Sequence, residues 1–200
     1  VSATLLVFEP DDGSHGGVQL GEVVPVLAGL VGQVTAADLR LSTPCEAWTT
    51  RDLLNHVVGG AEMFAGALQG GPLHDISGRN PDVVGVDPAA AFGQAAEAFG
   101  AATQAPGAME RLLPLPFGTM TGETFLRFAA FDLLVHAWDL ASVLDTEVEL
   151  PDEVVAPIAG FAHQVLGGVA RDGVNFGPEE VPPPGATPLE QLVAFTGRKV

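Results

Sequence analysis

The chain has 200 residues, 25 acidic and 8 basic, which gives a formal net charge of −17 and a pI near 4.3. A surface of that sign repels the phosphates of nucleic acid and the anionic face of a membrane, which argues against both as partners, and it attracts cations. The length fits one domain, and 47% hydrophobic residues with a mean hydropathy of +0.31 supply a core without disulfides.

Cys45 is the single cysteine, so neither an intrachain disulfide nor a four-cysteine zinc site can form, and a reducing compartment is indicated. Val1 to Pro10 carries no basic leader, and no run of about 18 apolar residues occurs. A cytoplasmic protein without a membrane span is expected.

Val1 to Phe8 reads as a short extended segment and Glu9 to Gly17 as a loop, so residues 1–17 form an N-terminal extension. From Val18 to Val34, Leu20, Val23, Val24, Leu27, Leu30, Val31 and Val34 recur at helical spacing, although Pro25 and three glycines weaken that helix. Thr49 followed by Asp52 reads as an acidic capping box for a second helix reaching Leu68, stopped by Gly70-Gly71-Pro72. Pro72 to Asp87 is loop-like, and Pro88 opens an Ala-rich third helix to Thr103. Arg111 to Pro116 and Thr119 to Gly122 suggest a hairpin around Phe117-Gly118. Thr124 to Leu144 is the longest helix, unbroken by Gly or Pro. Pro151 opens another helix to Leu166; a proline-rich coil from Phe176 to Pro188 and a helical tail from Leu189 to Phe195 follow. The pattern predicts a mainly all-α helical bundle.

The residues with most chemistry lie in Phe131-Asp132-Leu133-Leu134-Val135-His136-Ala137-Trp138-Asp139-Leu140. Asp132 and His136 are four apart, so on a helix a carboxylate and an imidazole share one face and can bind one metal. Spacing alone equally fits an i,i+4 polar pair on a solvated face. A third ligand must come from elsewhere, and His56, among Leu53, Leu54, Val57 and Val58, is the best candidate. A core histidine bonded to a backbone carbonyl is its alternative.

Asp52 also precedes His56 by four residues, but its place in the first turn makes it a cap. Asp139 reads either as an acceptor that orients His136 or as part of a solvated face. His15 and His74 fall in glycine-containing loops, and His163 is open to core, surface or pocket readings. Trp48 and Trp138 read as packing residues, and Cys45 as a small buried hydrophobe. Nucleotide-loop, dinucleotide, nucleophile-elbow and His-Glu-x-x-His signatures are absent.

At these residues the sequence resembles the mycothiol-dependent maleylpyruvate isomerase family of the DinB-like superfamily of metal-binding four-helix bundles. The resemblance is carried by Thr43-Pro44-Cys45-Glu46-Ala47-Trp48-Thr49, by Asp52-Leu53-Leu54-Asn55-His56 and by Asp132 to Ala141. The ending Leu192-Val193-Ala194-Phe195-Thr196-Gly197-Arg198 is similar to one uncharacterised actinobacterial branch. It implies a DinB-like four-helix bundle over residues 18–198, with minor short strands and extra C-terminal helices. It also implies a divalent metal, zinc foremost, on His56, Asp132 and His136, the trio the spacing reaches. The isomerase has Glu where this chain has Asp132, which keeps the charge on a shorter arm. Three readings follow. One is a thiol-dependent isomerase or S-transferase that takes mycothiol and a small-molecule substrate. The second is a hydrolase or lyase acting through metal-bound water. The third is a non-catalytic metal-binding or regulatory bundle.

Overall fold

The computed structural model describes the backbone of residues 5–6, together with residues 16–45, 48–73, 81–115, 118–167, 171 and 177–200. Its helices are α1 (Gly16–Val31), α2 (Thr50–Leu68), α3 (Pro88–Thr103), α4 (Gly122–Val143), α5 (Asp152–Leu166) and α6 (Pro188–Phe195). A 3-10 turn spans Asp38–Arg40, and three short strands are β1 (Leu5–Leu6), β2 (Leu112–Leu115) and β3 (Gly118–Thr121). The protein is mainly α, as the periodicity predicts.

Helices α1 to α4 close a four-helix ring in which α1 packs on α4, α4 meets α2, α2 packs on α3 and α3 returns to α1. Helices α5 and α6 cover the outer side of α4. The core reads off the apolar stripes. Leu27, Leu53, Leu54 and Leu140 are fully buried around one centre, and Phe131, Leu134, Ile158, Phe161 and Leu192 around another.

The element boundaries follow local chemistry where it is local. Thr49 caps α2 with both bonds of the capping box in place, and Asp87 caps α3 ahead of Pro88. Helix α1 starts at Gly16, two residues before the apolar stripe, because the Glu123 carboxylate of α4 accepts the Gly16 N–H at 2.8 Å. A Cβ at Gly16 would lie 2.6 Å from the Arg127 backbone nitrogen, so glycine permits this close packing of α1 on α4. The helix ends at Val31 rather than Val34, as Gln33 and Val34 donate to Leu30 and Val31 in tighter 3-10 bonds.

The anticipated hairpin forms, with Leu113 opposite Met120 and both buried. Strand β1 joins β3 in parallel, pairing Leu5 with Thr119. Thr121, the last residue of β3, then caps α4 by accepting the Thr124 N–H. No described helix is long and apolar enough to cross a membrane.

Candidate metal centre

On α4, Phe125, Phe128, Asp132, His136 and Asp139 follow one another at spacings of three or four, so they form one stripe along the helix. That stripe faces α2. His56 of α2 meets Asp132, and Phe64 of α2 meets Phe125, so the two helices run antiparallel.

His56 Nε2 lies 3.4 Å from Asp132 Oδ2, and His136 Nε2 lies 3.7 Å from Asp132 Oδ1. A donor atom from each of the three residues lies within 4.8 Å of the others. Donors bound tetrahedrally at roughly 2.1 Å are separated by about 3.4 Å, so the spacing suits one ion of zinc size. The donor set, two imidazoles and one carboxylate, is also one that zinc accepts. Both imidazoles are largely buried, whereas the Asp132 side chain remains 30% exposed and opens the site to solvent.

His136 is held from behind. Its Nδ1 lies 3.0 Å from Asp139 Oδ2, which fixes the ring and leaves Nε2 toward Asp132. Asp139 is fully buried, so its solvated-face reading is wrong; the rotation that hides it is set by how α4 packs, not by its own sequence. The exposed-pair reading of Asp132 and His136 fails likewise, since His136 is buried.

Arg198 completes the support by donating from Nε and Nη2 to the two Asp139 oxygens at 3.1 and 2.8 Å. This arginine was not singled out from sequence, although it closes the last motif quoted above. Its placement depends on the end of α6. There the Gly197 N–H donates to Ala194 and the Arg198 N–H to Val193, with Gly197 at φ +93°. A Cβ at Gly197 would also come 2.7 Å from Gly177 Cα.

These contacts set the charges. Burial opposes ionisation of Asp132, but His136, His56 and Arg198 outweigh it and bring its pKa down to about 2. Burial likewise opposes the Asp139 charge and is outweighed by the bonds to His136 and Arg198, so its pKa is lowered. Arg198, whose charge burial disfavours, is held protonated by Asp139.

The sequence profile of the mycothiol maleylpyruvate isomerase N-terminal domain matches residues 20–141. This chain belongs to that family. Two uncharacterised proteins from two strains of Mycobacterium tuberculosis are each 35% identical to it over 174 residues, covering 86% of this chain and 92% of theirs. No solved structure matches. The family match takes in His56, Asp132, His136 and Asp139, whereas Arg198 lies beyond it.

In this member of the isomerase-domain family, the segment before α2 shapes the wall of the centre. The Thr43 hydroxyl bonds to the carbonyls of Cys45 and Trp48, and Ser42 bridges to Thr49, which fixes the turn. Trp48 then stacks on His136, with ring centroids 5.6 Å apart, and lies 4.6 Å from His56. Trp48 is thus a packing residue whose partners are the imidazoles themselves. Cys45 is half-buried, and burial pushes its thiol up to about 11.

Asp52 caps α2 by accepting the Thr49 N–H at 3.0 Å, as its position predicts. Trp138 packs against the core, and His163 is exposed with its ring on Phe195. His15 and His74 lie outside the described residues.

Proposed function

We propose that the chain holds one divalent metal ion, zinc foremost, through His56, Asp132 and His136. With the low-molecular-weight thiol mycothiol it isomerises a small molecule or joins the thiol to it through sulfur. One observation carries the reading: two imidazole nitrogens and a carboxylate oxygen converge at a solvent-reached edge, in a chain of the mycothiol maleylpyruvate isomerase N-terminal domain family.

Zinc with three protein donors keeps a position for a thiol and lowers its pKa, which supplies a nucleophile at neutral pH. The protein's own groups prepare that position. Asp139 fixes the His136 ring and directs Nε2 inward. Asp132 contributes the negative charge between the imidazoles and, as the most exposed donor, marks the side from which small molecules arrive. Trp48 shields the imidazole rings from water on its side. In an isomerase the sulfur and proton of the thiol would add across an unsaturated bond of the substrate and be eliminated again after rearrangement; in an S-transferase that adduct is itself the product, so no leaving group is needed.

The test is cobalt substitution followed by titration with mycothiol. A thiolate-to-cobalt absorption band that disappears in His136→Ala is expected. A cobalt-loaded protein with no such band overturns the thiol reading, and turnover without any thiol would favour a hydrolase or lyase.

A further inference from the structure

We infer that the protein has a second binding site, separate from the metal donors, that takes one unbranched hydrocarbon chain with an uncharged head. The site is the apolar trough between α1 and α3, and it does not depend on the metal centre proposed above.

The trough comes from how the bundle is paired. Helix α1 packs closely on α4 and α2 on α3, while the two pairs meet each other less closely. Along the α1/α3 seam this leaves a cavity of about 260 Å³, lined by all four helices. Its buried lining is apolar: Leu20 of α1, Val57 of α2, Phe92 of α3 and Leu126 of α4. Gly17 and Gly21 of α1 and Gly100 of α3 stand at its exposed rim. A Cβ at any of these three would meet nothing within 4 Å, so packing does not impose glycine there, and the missing side chains keep the mouth open.

Shape and charge select the occupant. On α1 the lining runs from Gly17 to Val24, about 10 Å of helix. Spread over that length, the cavity has a cross-section of roughly 25 Å². A helix of about 10–12 Å diameter needs about 80 Å² or more, so neither a partner's helix nor one from a second copy fits. A single hydrocarbon chain does, and a dry cavity of about 150 Å³ already holds benzene. No charged residue lines the trough among the described residues, and the net charge of −17 disfavours an anionic head. Thr103 and Gln104 make its polar end. The Thr103 hydroxyl donates to the Gly100 carbonyl at 2.7 Å, and Gln104 Nε2 donates to the Thr103 oxygen at 3.2 Å. The Gln104 side-chain oxygen is left as an acceptor, which suits a hydroxyl head and opposes a carboxylate.

The experiment titrates the whole chain with butan-1-ol, hexan-1-ol, octan-1-ol and octanoate, following the methyl NMR signals of Leu20, Val57 and Leu126. Saturable shifts at those methyls are expected, with about tenfold tighter binding for each two methylenes added to the alcohol. Octanoate is expected to bind at least about tenfold more weakly than octan-1-ol. Ala96 and Gly21 both line the trough, so Ala96→Phe and Gly21→Leu fill it. Each is expected to weaken octan-1-ol at least about tenfold, with the helical circular dichroism unchanged. Shifts that scatter over the surface or never saturate overturn the inference, as do equal affinities along the alcohol series or for octanoate and octan-1-ol. Undiminished binding in both folded variants overturns it too. The alcohol series needs no variant, so it decides the matter even where a filled trough unfolds the bundle.

Discussion

Arg198 follows Asp139 by 59 residues, yet its guanidinium donates to both oxygens of that carboxylate at 3.1 and 2.8 Å in a buried pair. Neither charge has water to fall back on, and each exists there because of the other. Arg198→Met therefore leaves a buried carboxylate bonded only to an imidazole. A loss of about 3–5 kcal/mol in urea unfolding is expected. A change under about 1 kcal/mol would mean the pair is not buried as described.

Asp139 also acts on the centre itself, through His136 Nδ1 at 3.0 Å. Asp139→Asn keeps the shape and removes the charge. Metal affinity, measured by competition with a chromophoric chelator, is expected to fall about 10–100-fold while the stoichiometry stays at one. Undiminished affinity would remove Asp139 from the site.

Gly197 and Gly21 make a matched pair of glycines with opposite expectations. Gly197 has φ +93° and lies against the Gly177 backbone, so Gly197→Ala is expected to cost more than about 1–2 kcal/mol and to loosen Arg198. Gly21 is exposed within α1, and a Cβ there meets nothing within 4 Å. Gly21→Ala is expected to stabilise by about 0.5–1 kcal/mol. Thermal unfolding of both variants checks the contrast, and equal effects would contradict the α6 geometry.

Cys45 sits beside the centre but is a poor nucleophile. With its pKa pushed up to about 11 by burial, it is a neutral thiol at pH 8 and becomes a thiolate only as the pH rises toward that value. Alkylation by iodoacetamide at pH 8 is expected to be at least about tenfold slower in the folded protein than in urea, where an ordinary thiol pKa near 8.5 returns. In the folded protein the rate should climb steadily with pH. Equal rates at pH 8 would show that Cys45 is not shielded.

Much of the architecture was legible because its causes are local. Thr49 with Asp52, Pro88 in the first turn of α3 and the run of α4 from Thr124 without Gly or Pro act within a few residues, and the helices appear where these signals put them. The Asp132–His136 pair was legible because an i,i+4 spacing needs only one helix, whereas His56, on α2, came from its apolar setting and the family resemblance. What stayed hidden depends on how helices sit against each other. The Glu123 cap on Gly16 spans 107 residues, and the Arg198 support depends on a left-handed turn after a different helix. Whether Asp139 faced water or His136 was undecidable for the same reason, since the rotation of α4 is a tertiary property.

The most direct measurement of the central claim is elemental analysis of the purified protein beside His136→Ala. One equivalent of a divalent metal in the unaltered protein and none in the variant is the expected result. A variant that keeps its full equivalent, or an unaltered protein that takes up none when offered zinc, would contradict the account.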